Sequence, residues 1–530
     1  MTALRAALAE SALRRALVAF LAFIVVEEGL WLAVLLYAHQ IGGAPAVGAV
    51  AVAQLVPATV LAPVLATWLD RVSVRTGLTM AYASAGTAAL VLGLLLVAQA
   101  PVWAVVLAAV VQSALVSLGR PAHFSALPRL AELPSHLVAA NAVTGTVESL
   151  GVMLGPLTVA LALTFSGVAP LVVVLGALLC LGAILVGTAR MPAHTVSSDE
   201  PDTETEPFLQ AATQGVREVR RVPGALTLLV IVGLGWVLQG ALDVLGVSFA
   251  VDVLDAGDQG ASFIAAGNGL GLLIGATLAA VVLVGVARLS RVVVTGAVLG
   301  GLALAATGLT DTLLVALVLV VISGVARSFV DVAGRTLLHR NIDGRVMARV
   351  FGVQEAVLTG GLAIGAVLAP LAIAVVGTQA AFAVTGAVLL VPALLARPML
   401  RALDRTGVVA AQRIALLRGL NLFAPLAPPD LERLALSSER CPVSVGETLI
   451  VQGDDGDCFY AVESGRFEVV KDGAPVADLG PGQYFGEIAL LRDVPRTASV
   501  TCTQSGEVIV MGREVFLAAM SRSRPRLDGS

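Results

Sequence analysis

Long apolar runs separated by short polar segments dominate the chain up to about residue 400. Each run is long enough to cross a hydrocarbon layer about 30 Å thick, because an α-helix rises about 1.5 Å per residue. The pattern predicts about twelve membrane-spanning helices in two sets of six. The runs cover residues 16–38, 45–67, 77–99, 102–119, 137–164, 167–189, 225–250, 260–287, 291–310, 312–330, 350–376 and 378–400.

The pattern changes beyond about residue 405, where apolar and polar positions alternate. Phe467 and Val469 fall on one face of a predicted strand, and Glu468 falls on the other. The pairs Ser464–Gly465 and Asp472–Gly473 are typical of hairpin turns. These signals predict a small β domain behind the membrane-spanning part.

Composition and charge placement support a membrane protein with a defined orientation. Hydrophobic residues make up 57% of the chain and charged residues only 13%, about half the charged share of a soluble domain. Arginines cluster in alternate loops, whereas the opposite loops contain no Lys or Arg. By the positive-inside rule, both termini and the β domain are expected in the cytoplasm, with the spans in the inner (plasma) membrane. The opposite loops carry Asp252, Asp255, Asp258 and Asp311.

The polar segments divide the chain into five parts. A first six-span half, a cytoplasmic loop with a surface helix at about 207–221, and a second six-span half are followed by a short basic linker and the β domain. These parts cover residues 1–190, 191–224, 225–400, 401–413 and 414–530.

A loop between the second and third spans carries Asp70, Arg71 and Arg75. It resembles the gating loop of the major facilitator superfamily, whose members join two six-span halves through a cytoplasmic loop. Only these three positions match, because Ala66 and Ser73 replace the family's glycines. The resemblance implies a polytopic α-helical transporter whose loop latches the cytoplasmic gate. The alternative is that these are solvated loop charges.

The fifth span carries Gly151, Gly155 and Pro156, which resemble the motif of exporters in that superfamily. Small residues let two helices approach closely, and proline bends a span. The resemblance implies export rather than uptake, although glycine-rich membrane helices are common.

Carboxylates within the spans are candidates for proton coupling, because charge in a membrane is costly and is retained for function. The first, fourth, seventh and tenth spans line the cavity in this superfamily. Adjacent helical residues point about 100° apart, so only one of the two glutamates of the first span is expected to face the centre well, and Glu28 is favoured. The alternative is a hydrogen bond to a neighbouring helix. The candidates are Glu27, Glu28, Glu148, Asp243 and Glu355.

Other polar groups in the spans are few. Arg327 and Asp331 lie four residues apart on the tenth span and are expected to pair. Four polar residues either line the transport path or bond neighbouring helices, namely Gln54, Gln112, Gln239 and Asn268. So few polar groups favour a small apolar or amphipathic substrate over a sugar or an ion.

Near the C-terminus, residues 485–498 combine a glycine and a glutamate with a later Pro–Arg pair. Gly486 lets the backbone approach a ligand, Arg496 offers a planar charged fork for phosphate oxygens, and Glu487 can accept a hydrogen bond from a ribose hydroxyl. These residues resemble the phosphate-binding cassette of the cyclic-nucleotide-binding domain family. The resemblance implies a nucleotide site made of Phe485, Gly486, Glu487, Ile488, Ala489, Pro495, Arg496, Thr497 and Ala498.

The resemblance runs from about residue 414 to 521 and implies a β jelly-roll barrel with flanking helices. It also implies cAMP or cGMP as a regulatory ligand, and the Thr497 hydroxyl leaves cGMP open. The alternative is a folded but empty pocket. The four cysteines show no metal spacing, so no metal or redox cofactor is expected.

Taken together, these features predict a secondary transporter, an exporter regulated by a cytoplasmic cyclic nucleotide. The alternative is a non-transporting membrane receptor or scaffold that senses the nucleotide and recruits a partner. The sequence carries no nucleophile–base constellation typical of an enzyme and no basic–aromatic patch typical of nucleic-acid binding. The expected partners are the lipid bilayer, the transport substrate and the nucleotide, and a homodimer stays open.

Overall fold

The computed structural model describes residues 11–69, 72–130, 134–165, 167–189, 208–283, 286, 288–342, 347–424, 426 and 428–523. The chain divides into two compact units. The membrane unit comprises Met1–Ala280 with Ser290–Ala402, and the sensor unit comprises Leu403–Ser530 with the segment Val281–Leu289.

Among the residues that the structure describes, the regular secondary structure of the membrane unit is helical. Within these residues, eleven helical segments are long and apolar enough to cross a membrane. Its helices are α1 (Ser11–Leu69), α2 (Val74–Val97), α3 (Val102–Val116), α4 (Gly119–Leu130), α5 (Pro134–Phe165), α6 (Val168–Gly187), α7 (Phe208–Arg221), α8 (Ala225–Ser248), α9 (Gly257–Val282), α10 (Leu289–Thr307), α11 (Leu313–Asn341), α12 (Met347–Val376) and α13 (Thr378–Leu400).

The first helix holds two of the twelve predicted spans. Gly42 and Gly43 interrupt α1 with non-helical backbone angles, and Gly43 has a φ of 63°. A glycine tolerates this left-handed conformation, so the chain can break there without a loop. The predicted runs 16–38 and 45–67 lie on the two sides of the break, which reconciles eleven long helices with twelve runs.

Glycines set the closest helix crossings of the membrane unit. A Cβ on Gly151 of α5 would lie 2.3 Å from Ile24 of α1, and one on Gly155 would lie 2.6 Å from the Cβ of Glu28. Pro156 lies inside α5 directly after these glycines. The predicted exporter motif therefore forms the contact between α5 and the helix that carries Glu27 and Glu28.

The sensor unit is a β-sheet flanked by helices. The sheet is antiparallel, with the order β1-β6-β3-β4, and with β2 paired to β6 and β5 paired to β3. Its elements are α14 (Asp404–Gly419), α15 (Pro428–Ser437), β1 (Glu439–Val443), β2 (Thr448–Ile450), β3 (Cys458–Lys471), β4 (Ala474–Leu479), β5 (Tyr484–Phe485), α16 (Glu487–Arg492), β6 (Ser499–Gly512) and α17 (Arg513–Ser523).

Two apolar clusters hold the sensor together. One lies within the sheet and includes Phe467, Phe485 and Val500. The other joins the flanking helices to the sheet, with the rings of Phe459 and Phe516 stacked at 4.9 Å between centroids. Burial of these aromatic rings fixes the helices against the strand ends that carry the cassette.

One of the two predicted hairpins is present and the other is wrong. Asp472 and Gly473 both have positive φ and turn β3 into β4. At Ser464–Gly465, by contrast, β3 continues with a shifted register against β6. A Cβ on Gly465 would lie 2.6 Å from the Gln504 carbonyl oxygen, so this glycine permits an irregular close pairing of strands rather than a turn.

Candidate functional site

The cassette begins where β5 ends. Phe485 is buried and stacks on Tyr460 of β3, with 5.0 Å between the ring centroids. Gly486 follows with a φ of 89°, and α16 begins at Glu487. A left-handed residue between strand and helix turns the chain sharply, which favours glycine at this position.

Arg496 is the central charged group of the cassette. Only 5% of the surface of Arg496 is exposed to solvent. Its guanidinium donates to the carbonyl oxygens of Gly486 at 3.0 Å and Cys458 at 2.8 Å, and it lies 3.3 Å from a carboxylate oxygen of Asp457. A Cβ on Gly486 would lie 2.8 Å from the Arg496 Nη1 atom. The glycine and the arginine of the motif are therefore in direct contact, with no room for a larger residue between them.

The backbone on both sides of Arg496 is also fixed. The Arg496 N–H donates to the Asp454 carbonyl oxygen at 2.7 Å, and the Gly453 N–H donates to the Arg496 carbonyl oxygen at 2.9 Å. Gly456 packs against Ala489, where an added Cβ would lie 2.7 Å from the Ala489 Cβ. The loop before β3 and the cassette thus hold each other in place.

Glu487 lies beside this arginine in a partly desolvated setting. Burial raises the pKa of the Glu487 carboxyl, whereas its own backbone N–H and the Arg496 charge act in the opposite direction. Pro495 and Thr497 are exposed and Ala498 is half-buried, so they border the site on the solvent side. The arrangement offers a permanent cation and a nearby acceptor, the two groups that a phosphodiester and a ribose hydroxyl require.

Two sensor residues important to the site were missed by sequence reasoning. Asp457 contacts Arg496, and Arg513 at the start of α17 bonds the Gly456 carbonyl oxygen at 3.1 Å and pairs with Asp493. Asp493 ends α16 with a φ of 54°. Asp457 and Arg513 lie outside the contiguous motif at residues 485–498, and only the fold brings them to the site.

In the membrane unit, three predicted carboxylates meet at one arginine. Arg120 of α4 lies 2.9 Å from Glu27, 2.6 Å from Glu148 and 3.8 Å from Glu28. Glu27 rather than Glu28 makes the closer contact, and both glutamates of α1 reach the cluster. Which of the two faces the transport cavity, with Glu28 favoured, stays a prediction.

The sequence counts Arg120 among the loop arginines, because the predicted run 102–119 ends just before it, but the structure places Arg120 inside a helical segment. Arg120 lies within a spanning segment, Val102–Leu127, and pairs with acids up to 93 residues away in sequence. The run 102–119 ends one residue before Arg120, so a longer fourth span was the available signal. We call Glu27, Glu28, Arg120 and Glu148 the acidic centre.

Asp243 belongs to a second polar network that crosses between the two halves. It accepts hydrogen bonds from the Trp31 indole of α1 at 3.1 Å and from Gln239 at 2.7 Å. Gln239 in turn accepts from Asn268 at 3.1 Å and from Arg327. The predicted pairing of Arg327 with Asp331 is present at 3.7 Å. Arg327 also lies over the Trp236 ring, at 4.4 Å from its centroid.

A cavity adjoins this network between α8, α9, α10, α11 and α13. Its walls are largely apolar or glycine, and the polar lining residues are Gln239, Asn268, Ser323, Arg327 and Asp331. Gln239 and Asn268 bond each other across helices and also line this cavity, while their place on a transport path stays a prediction.

Two predicted groups stand apart from these clusters. Glu355 is largely exposed and lies 4.0 Å from Arg335, which is also exposed. Arg75 is exposed in the first turn of α2, next to Ser73, whose hydroxyl caps that helix. Asp70 and Arg71 lie outside the described residues, so the gating loop stays a prediction.

Comparison with known protein families identifies both units. A model of the Major Facilitator Superfamily matches residues 16–353, well over half of the chain. A model of the cyclic nucleotide-binding domain matches residues 441–523.

Individual relatives resemble a short part of the chain. It is 50% identical over 99 residues to a cAMP-dependent protein kinase regulatory subunit of Yarrowia lipolytica, a match that covers 18% of this chain and 26% of that protein. It is 44% identical over 108 residues to the acetyltransferase Pat of Mycolicibacterium smegmatis, covering 20% and 32%. The regulatory domain of Toxoplasma gondii PKA, solved with cAMP, is 37% identical over 21% of this chain and 44% of that one, with a TM-score of 0.20. The chain therefore spans only about a quarter to a third of these curated relatives.

Proposed function

Because the chain belongs to the major facilitator superfamily and carries a C-terminal cyclic nucleotide-binding domain, we propose that it is a secondary transporter regulated by a cyclic nucleotide. In this proposal the transporter exports small apolar or amphipathic compounds in exchange for protons. Both termini and the sensor unit lie in the cytoplasm, where the nucleotide is made. cAMP or cGMP binds the cassette and shifts the balance between transporter states.

The observation that carries the regulatory part is the complete cassette in the same chain as the transporter. Gly486, Glu487 and Arg496 meet at one place, and Arg496 is buried with its guanidinium against backbone carbonyl groups. A phosphate would compete with these carbonyl groups and with the exposed Asp457 carboxylate, and it would form charge-assisted hydrogen bonds to the guanidinium. The names of the regulatory-subunit relatives make cAMP the first nucleotide to test.

The acidic centre supports proton exchange. It joins three carboxylates and one guanidinium, so two negative charges are unbalanced when all its groups are ionised. Unbalanced charge inside a membrane is costly and is relieved by taking up protons. The largely apolar walls of the cavity in the second half support an apolar or amphipathic substrate.

Calorimetric titration of the full-length protein with cAMP and cGMP tests the proposal. We expect binding of at least one nucleotide, and a loss of about tenfold or more in affinity for Arg496→Lys, because lysine keeps the charge but lacks the planar fork. The matched control is Arg466→Lys, since the Arg466 side chain is exposed on the same domain and pairs with Asp478, away from the cassette. Equal binding by the two variants, or no heat with either nucleotide, would contradict the proposal.

A further inference from the structure

Below the acidic centre, the same two helices form a second polar contact. His123 follows Arg120 by three residues on α4, and Thr144 precedes Glu148 by four residues on α5. Residues three or four apart lie on one face of a helix. The His123 Nε2 atom lies 3.4 Å from the Thr144 hydroxyl, just as Arg120 contacts Glu148 at 2.6 Å. The two contacts therefore join α4 and α5 at positions about one helical turn apart.

A third helix, α1, follows the same order of an acidic-centre residue and a residue of the His123 contact. The His123 ring stacks on Phe20 of α1, with 3.7 Å between centroids and 7° between planes. Phe20 lies seven residues, or two turns, before Glu27 on α1. Helices α1, α4 and α5 therefore each carry one residue of the acidic centre and one residue of the His123 contact. The residue of the His123 contact lies nearer the arginine-rich loops on all three helices, as Phe20, His123 and Thr144.

His123 is buried in an unusual way for a polar side chain. It has no exposed surface, and its Nδ1 atom has no hydrogen-bond partner among the described residues. The Tyr82 hydroxyl is also buried without a hydrogen-bond partner among the described residues. The Tyr82 ring stacks on Phe23, which in turn stacks on Phe20. Buried polar atoms are nearly always hydrogen-bonded, so two such atoms beneath a cluster of acids point to a role beyond packing.

Of the described side chains that meet at this level, Phe20, Tyr82, His123 and Thr144, the imidazole of His123 is the one with a basic nitrogen. The charged groups above it are Arg120 on its own helix, Glu27 and Glu28 on α1 and Glu148 on α5. Tyr82 of α2 is the titratable group on the other side, and Phe20 and Phe124 contribute only rings. Imidazole can accept a proton at one nitrogen and release one from the other.

We propose that His123 relays protons between the acidic centre and the cytoplasmic end of the membrane unit. A proton arrives at Nδ1 from the cytoplasmic side, and the proton on Nε2 leaves toward the centre past the Thr144 hydroxyl. The ring is left neutral with its proton on Nδ1, and it must turn over before it can carry a second proton in the same direction. A proton leaving the centre runs the other way, since it arrives at Nε2 while the proton on Nδ1 leaves toward the cytoplasm. This relay rests on the proton exchange proposed above, and it makes His123 the path rather than the storage site.

A proton-jump experiment on the full-length protein in lipid nanodiscs tests the relay without a known substrate. A flash-released proton is followed by the infrared carbonyl band of carboxylic acids, which Glu27→Gln and Glu148→Gln assign to the acidic centre. We expect His123→Phe to slow protonation by about tenfold or more while leaving the final amplitude unchanged, because phenylalanine keeps the stack on Phe20 but carries no proton. Thr144→Val, which changes the ring's partner and not the ring, is expected to slow it less.

The matched control is His39→Phe, since His39 lies beside Asp252 at the far end of the first span, just before the break in α1 at Gly42 and Gly43. This variant is predicted to leave the rate unchanged. If His123→Phe fails to fold, His123→Gln with Thr144→Val gives the same comparison. An unchanged rate in the His123 variants, with the carboxyl band intact, overturns the relay alone. The absence of any carboxyl band from the centre in the native protein overturns the relay and the proposed proton exchange together.

Discussion

At the scale of single residues, Glu487 illustrates a conflict between stability and binding. Burial raises the pKa of its carboxyl. A group whose pKa rises on folding binds protons more tightly in the folded state, so its stabilising effect is full below the unfolded pKa and is lost as pH rises through the folded pKa. At neutral pH the ionised carboxylate is therefore a burden on the folded sensor.

We expect Glu487→Gln, which is neutral at every pH, to make the sensor more stable than the native protein at about pH 7.5, with the difference shrinking toward about pH 5. The same variant should bind the nucleotide about tenfold more weakly, because an amide is a poorer acceptor for the ribose hydroxyl. Hydrogen exchange in β3 and β6 measures the first effect and calorimetry the second. The exposed Glu468 provides the control as Glu468→Gln. Lower protection at neutral pH in Glu487→Gln would contradict the electrostatic argument.

Arg120 holds three acids together, and its removal tests that role. We expect Arg120→Gln to lower the thermal midpoint of the membrane unit strongly, because Glu27, Glu28 and Glu148 then repel one another without a counter-ion. Adding Glu148→Gln should recover part of the loss. Arg335→Gln is the control, since that arginine meets Glu355 only at 4.0 Å on an exposed surface and such pairs contribute about 0–1 kcal/mol. Equal thermal midpoints for Arg120→Gln and Arg335→Gln would show that Arg120 does not stabilise the acidic centre.

At the scale of elements, the sequence predicted features made of neighbouring residues and missed contacts between residues that are far apart in the chain. The cassette at residues 485–498 was found because its glycine, glutamate and arginine lie close in sequence. Arg120 was placed in a loop because its pairing with Glu27 joins residues 93 apart, which no local pattern records. Ser464–Gly465 was predicted as a turn for the opposite reason. Its local pattern is that of a hairpin, and only the close approach of β6 keeps β3 extended there.

The crossing of α8 and α12 gives an element-scale prediction. A Cβ on Gly365 would lie 2.0 Å from the Val237 carbonyl oxygen and 2.7 Å from the Ala241 nitrogen. We expect Gly365→Ala to push the helices apart and destabilise the membrane unit by about 1–3 kcal/mol. Gly360 on the same helix has nothing within 4 Å of an added Cβ, so Gly360→Ala should be neutral or slightly stabilising, since alanine favours helix. Thermal unfolding of both variants decides the point, and a greater loss for Gly360→Ala would refute the packing argument.

At the scale of the whole molecule, regulation is a coupling free energy between nucleotide and transporter state. A ligand shifts a conformational equilibrium only by its difference in affinity for the two states, and the effect is reciprocal. The chain has a built-in reporter for this. All four tryptophans, Trp31, Trp68, Trp103 and Trp236, precede the sensor unit, and Trp31 bonds Asp243 between the two halves.

We therefore expect saturating cAMP or cGMP to change the tryptophan emission of the full-length protein, although the sensor contains no tryptophan. The change should vanish in Arg496→Lys, which cannot hold the phosphate, and shrink in Trp31→Phe, which leaves binding intact. By reciprocity, a pH change that shifts the acidic centre should alter the nucleotide dissociation constant, within the roughly 5–150-fold range typical of such coupling. Nucleotide binding that is measurable by calorimetry but leaves both the emission and the pH response unaffected would mean that the two units share a chain without sharing a conformational equilibrium. The receptor or scaffold reading would then be the better account, because a sensor that recruits a partner needs no coupling to the spans.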